Sequence, residues 1–171
     1  MESIPSVLAG DFAGALARAI TAGDYIREER LRYLADPILF WRTFILPMTD
    51  SDDRPQVAPA PWHLEGRAHL RAHREAVLLA PPGHLKTSFF TVQDAIERVC
   101  ASRTVTQAFV NISASGAQDM LAVVQHHLTE NQKLVEIFGR FKAKDAKWTQ
   151  AKCDVIGKPP GTTPSFQAVG I

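Results

Sequence analysis

Residues 77–91, VLLAPPGHLKTSFFT, constrain this chain more than any other stretch. An apolar run stops at Pro81, Pro82 and Gly83, and Lys86, Thr87 and Ser88 then open a helical pattern. In a strand–turn–helix of this kind, backbone N–H groups of the turn and the first helical turn converge on one concavity, which suits anionic oxygens. Residues 80–87 fill the phosphate-loop pattern G/A-x-x-x-x-G-K-[ST] with one mismatch, Leu85, which stands where the second glycine is usual. In such a loop Lys86 sets its ammonium against the β- and γ-phosphates, and the Thr87 hydroxyl ligates Mg²⁺. Pro82, Gly83, His84 and Ser88 complete the cradle, with Gly83 allowing a bend where a side chain would collide. If the Leu85 position needs a left-handed backbone, the β-carbon costs roughly 1–2 kcal/mol. If it needs only close approach, the leucine points away at little cost. The competing reading is a strand–turn–helix that carries GHLKT by accident.

The flanking pattern gives this loop a setting. Apolar positions at Phe12, Leu16, Ile20, Ile26, Leu31 and Leu34 predict one broken or two short helices over 11–34. A cleaner helix follows at 36–47, with Asp36 as cap, Pro37 in its first turn, Pro47 closing it, and Leu39, Phe40, Phe44 and Ile45 buried. The Pro- and Asp-rich residues 48–61 read as a linker. A helix over 62–74, a buried strand over 75–80 and a helix over 87–101 burying Phe90, Ala95, Ile96 and Val99 come next. A second buried strand is expected at 105–113, then a long helix over 115–138 with Met120, Leu121, Val124, Leu128, Leu134 and Phe138 on one stripe. Short strands or a hairpin fit the Pro- and Gly-broken tail. The order implies a βαβ unit, and so a parallel sheet covered by helices, with ligands beyond the carboxyl ends of its strands.

Length and composition admit a folded globular chain: 171 residues, 46% apolar and 22% charged. A formal charge of +1 lends no global electrostatic support to nucleic-acid binding, although a local basic patch remains compatible with it. Cys100 and Cys153 lack any C-x-x-C spacing, which predicts buried free thiols in a reducing cytoplasm. The N-terminus shows no secretory pattern, and no uninterrupted apolar run is long enough for a membrane span.

Beyond the loop, PWHLE, VLLAPPGHLKTSF, FVNISASGAQDML, LTENQKLVEIFG, KWTQ and PSFQAVGI follow one another in a fixed order. This series resembles the N-terminal ATPase domain of the large terminase subunit, the motor that packages DNA into tailed-phage heads, over about residues 37–171. The resemblance implies a P-loop NTPase-like parallel sheet flanked by helices, here incomplete, with a helical N-terminal extension. It divides the chain into the extension 1–47, the linker 48–61 and a partial ATPase domain 62–171. It further implies ATP and Mg²⁺ as ligands, and double-stranded DNA, a small terminase subunit and a portal protein as partners. The setting is the bacterial host's cytoplasm, with oligomerisation at full length and no membrane. Gly83, His84, Lys86 and Thr87 then fall in the Walker A motif. Trp62 and His63 match an upstream motif near the adenine end of the pocket, where a ring can stack on a base. The same two residues also read as a helix start with a core tryptophan. Ser113 and Ser115 match the segment after the second strand, and helix capping is the better account of them.

Departures accompany the likeness. Pro82 stands where many terminases carry an arginine, and Leu85 replaces a glycine. No apolar run ending in Asp-Asp or Asp-Glu occurs up to Ile171, so the Walker B strand, the coupling motif and the nuclease carboxylates are expected in sequence beyond this point. Nucleotide binding without turnover is the corresponding expectation. The alternative readings are a truncated, non-hydrolysing prophage remnant and another helicase-like P-loop protein. Asp50, Asp52 and Asp53 read as a solvated loop. His126 and His127, with Glu130 nearby, take different bearings on their helix and are not a metal pair. Arg67, Arg71 and Arg74 with His69 and His73, and separately Lys142, Lys144 and Lys147, read as solvated basic faces open to DNA.

Overall fold

A computed structural model describes residues 25–49, 58–73, 75–79, 85–159 and 163–171. The chain divides into two compact units, Met1–Lys86 and Thr87–Ile171. Residues 11–24, most of the acidic linker with Asp50, Asp52 and Asp53, and Arg74 lie outside the described residues.

In the first unit α1 spans Tyr25–Ala35. The next helix, α2, begins at Pro37–Phe40, passes through a π-helical turn at Trp41–Ile45 and ends at Leu46–Thr49. Asp36 caps it as its sequence predicts: the carboxylate accepts the N–H groups of Ile38 at 2.9 Å and Leu39 at 3.0 Å. Phe40, Trp41, Phe44 and Ile45 are fully buried. Trp41 takes the place expected for Leu39, because the π turn, closed by Leu46 N–H to the Trp41 carbonyl, shifts the buried row. Tyr33 of α1 meets Phe44 edge to face with centroids 4.8 Å apart, which ties the two helices. Helix α3, Pro61–Ala72, starts on a proline and ends before His73, whose backbone is extended.

The second unit opens with a π turn, Thr87–Gln93, that leads into α4, Asp94–Ala101. Phe89, Val92, Gln93, Ile96 and Val99 form its buried row, so Phe89 rather than Phe90 faces inward. Strand β1, Gln107–Asn111, is followed by α5, Ala114–Glu130. The predicted long helix is in fact two. Asn131 breaks it and caps α6, Gln132–Phe138, by accepting the Leu134 N–H at 3.0 Å. Strands β2, Lys152–Cys153, and β3, Phe166–Gly170, complete the chain.

The architecture is α/β, but the sheet is mixed rather than parallel. Its order is β1-β3-β2, with β1 and β3 parallel and β2 antiparallel to β3. One face packs Phe109 on Phe166 under α5. On the other, the register partners Val110 and Val169 are exposed, so β1 is half-buried where its apolar run predicted full burial. The expected strand over 75–80 does not form among the described residues. Residues 76–79 are non-regular, with Val77 82% and Leu79 90% exposed. An apolar run specifies a strand only where a neighbouring strand takes its N–H and C=O groups.

Residues 139–158 are fixed to this core by named bonds. The Arg103 guanidinium lies 3.8 Å above the Phe141 ring and donates to the Phe138 carbonyl at 2.6 Å. Lys158 Nζ donates to Thr106 Oγ1 at 2.7 Å and to the Val105 carbonyl at 3.2 Å.

Both cysteines are free thiols. Cys153 is buried, with its thiol pushed up to about 11 by burial, whereas Cys100 is only half-buried. On α5 the neighbouring His126 and His127 diverge: His126 is exposed, His127 buried. His127 Nδ1 has no hydrogen-bond partner, and burial, with a smaller contribution from His126, lowers the imidazole from 6.5 to about 4. The folded state therefore holds His127 neutral, while the unfolded chain protonates it below pH 6.5. That stabilisation is complete above pH 6.5 and is lost as pH falls through 4. The loss amounts to about 3 kcal/mol at most. Urea denaturation at pH 7 and pH 4 should show a smaller stability drop for His127→Leu than for the parent; equal drops would contradict it.

Candidate functional site

The loop singled out by the sequence is described from Leu85 onward. Pro82, Gly83 and His84 lie outside the described residues. Leu85 has φ +55°, the one left-handed non-glycine residue among those described. The position therefore does require the conformation that a glycine adopts without cost. Lys86, next in the chain, is already helical, and its side chain is exposed. A left-handed residue beside a helical one turns consecutive N–H groups toward a shared concavity, which is the backbone geometry that holds anions. Thr87, also exposed, begins the π turn, and Ser88 is half-buried behind it.

Lys86 and Thr87 are the residue types that phosphate loops carry at these positions. Among the described residues no group of three or more histidine, cysteine or carboxylate side chains is arranged to hold a metal by itself.

Trp62 and His63 take structural positions at the start of α3. His63 is buried, and its Nδ1 accepts the Ala60 N–H at 2.9 Å, which satisfies a donor at the helix start. Trp62 stacks on the His63 ring with centroids 3.7 Å apart and stays half-buried. The pair stands at the helix start, although Trp62 is half-buried and is not the core tryptophan that the structural reading expected.

Ser113 caps α5, its hydroxyl accepting the Gly116 N–H at 3.1 Å, and Ser115 Oγ lies 3.3 Å from Ser113 Oγ. Asn111 was not singled out by the sequence. Its side chain accepts the Ser113 N–H at 3.3 Å and lies under Gly116, at the carboxyl end of β1. The signal for it was the asparagine that closes an apolar run just before a serine cap. The basic face expected on α3 is also revised. Arg67 is buried and Arg71 half-buried, so the described face presents His69 and His73 rather than a row of arginines.

No family model, curated protein or solved structure matches the chain. Among the described residues no helix is long and apolar enough to cross a membrane.

The left-handed backbone at Leu85 makes a prediction about substitution there. A β-branched side chain is far worse in that region than leucine, and glycine carries no steric penalty. Leu85→Val should lower stability by about 1 kcal/mol or more, whereas Leu85→Gly stays within about 1 kcal/mol of the parent, since lost burial offsets relieved strain. Denaturant titration measures both. Equal losses in the two variants would mean that side-chain packing, not backbone conformation, governs the position.

Proposed function

We propose that this chain is the ATPase-domain portion of a phage or prophage terminase large subunit, and that it binds ATP with Mg²⁺ to power packaging of double-stranded DNA into proheads. The observation that carries the reading is the left-handed Leu85 leading into Lys86, Thr87 and a helix. A chance GHLKT match makes no demand for that backbone state, whereas a phosphate loop does. In this account Pro82, Gly83 and His84 are the residues that would contact the phosphates beside Lys86, whose ammonium would neutralise the β- and γ-phosphates, and Thr87 and Ser88 would supply hydroxyls to the bound metal. Bound Mg²⁺ supplies charge neutralisation across the same two phosphates. The small terminase subunit, the portal and duplex DNA are the partners this reading brings with it. The fold is consistent with the coarser α/β class on which such loops are built, and the parallel P-loop sheet itself belongs to the proposal.

Titration with a fluorescent ATP analogue in the presence of Mg²⁺ tests the reading. Lys86→Ala should weaken binding by about tenfold or more, or roughly 1.4 kcal/mol. Identical affinity for parent and variant would remove the loop as a phosphate site. Binding without hydrolysis is the expected outcome, and a turnover abolished by Lys86→Ala would contradict it.

A further inference from the structure

The carboxyl end of α3 carries two histidines four residues apart, His69 in its last turn and His73 just past its end, in the sequence HLRAH, that the nucleotide reading does not use. His69 and His73 are both exposed, and their ring centroids lie 4.2 Å apart with planes inclined at 38°. His73 has an extended backbone, and its ring folds back on the last turn of α3, which brings the two imidazoles together, whereas His126 is exposed and His127 buried. One bond fixes the chemistry of the pair. His73 Nδ1 lies 2.8 Å from the His69 carbonyl oxygen, an atom that can only accept, so Nδ1 carries the proton. In the neutral ring the lone pair then resides on Nε2, on the side away from the helix backbone. A histidine whose Nδ1–H is held by a carbonyl, with Nε2 left for a ligand, has the arrangement found in metal-binding imidazoles.

We propose that His69 and His73 form a two-nitrogen chelate for a late first-row divalent ion, with Cu²⁺ held more tightly than Ni²⁺ or Zn²⁺. Imidazole suits these ions, and the hard, oxygen-preferring Mg²⁺ and Ca²⁺ are poorly served by it. A dication here also sits at the carboxyl end of a helix, where positive charge is favoured. Glu65 occupies the same i, i+4 row one step earlier and adds a negative charge to that face. Because the described residues supply no third ligand of the histidine, cysteine or carboxylate type, water completes the coordination and the site exchanges its ion readily. The proposal is independent of the nucleotide reading, since neither histidine belongs to the loop.

Calorimetric titration of the chain with Cu²⁺, Ni²⁺, Zn²⁺ and Mg²⁺ tests it. The expected result is one saturable equivalent of each transition ion, tightest for Cu²⁺, and none for Mg²⁺. His69→Ala and His73→Ala should each weaken binding by about tenfold or more, with His126→Ala unchanged. Copper electron paramagnetic resonance should show two equatorial imidazole nitrogens in the parent and one in either variant. Both substitutions are at exposed positions, and circular dichroism confirms that the variants fold. Binding that persists unchanged in both, binding lost in His126→Ala, or the absence of any saturable phase overturns the proposal.

Discussion

The second unit depends on how closely α5 lies against its sheet. Gly170, at the end of β3, approaches the first turn of α5 so tightly that a β-carbon there would stand 2.6 Å from the Ala114 backbone nitrogen. A β-carbon on Gly116 would meet the Asn111 side chain at 2.9 Å. Backbone atoms cannot yield as a side-chain tip can, so Gly170 limits the helix–sheet distance, and Gly116 leaves room for the Asn111 side chain beneath the helix. That distance lets Ala117, Leu121, Val124 and Leu128 bury completely while Phe109 and Phe166 stack beneath them. Each such aliphatic or aromatic side chain contributes roughly 1.5–3 kcal/mol when fully buried. The same approach orders the carboxyl ends of β1 and β3, where Ser113 and Asn111 satisfy the opening N–H groups of the helix and its turn.

Local departures from regular helix geometry occur at two places: the π turn at Trp41–Ile45 lies within α2, and that at Thr87–Gln93 leads into α4. Such turns often accompany functional positions, because they re-aim side chains without ending the helix. The second turn begins two residues after Leu85, whose left-handed backbone is disfavoured for any residue with a β-carbon. A chain keeps strain of that kind where surrounding structure imposes it, and ligand-binding loops are a common place for it.

Much of the framework was legible in the sequence. Asp36 and Pro37 announced a helix start, and the alternating 3.6-residue stripe on α5 named Leu121, Val124 and Leu128 as core. Other features were not legible, for identifiable reasons. Asn131 falls within an apolar stripe that continues in phase, so periodicity joined two helices that its side chain separates. The run over 75–80 matched a buried strand, but strand formation depends on a pairing partner that a one-dimensional pattern does not contain. Arg67 and His127 look like surface residues by type, and only packing reveals their burial. At the loop itself the motif raised the question of a left-handed residue at Leu85, and the backbone dihedral answered it. The further step, from loop geometry to phosphate binding, rests on the chemistry of Lys86 and Thr87.

The central claim is that the backbone around Leu85 and Lys86 receives the phosphates of a nucleotide. Amide chemical-shift mapping during titration with ATP and Mg²⁺ addresses it most directly, because the N–H groups are the proposed ligands. The account predicts the largest perturbations at Gly83, Leu85, Lys86 and Thr87, with adenosine alone leaving them nearly unmoved. Perturbations confined to other parts of the chain, or equal responses to adenosine and ATP at these amides, would contradict it.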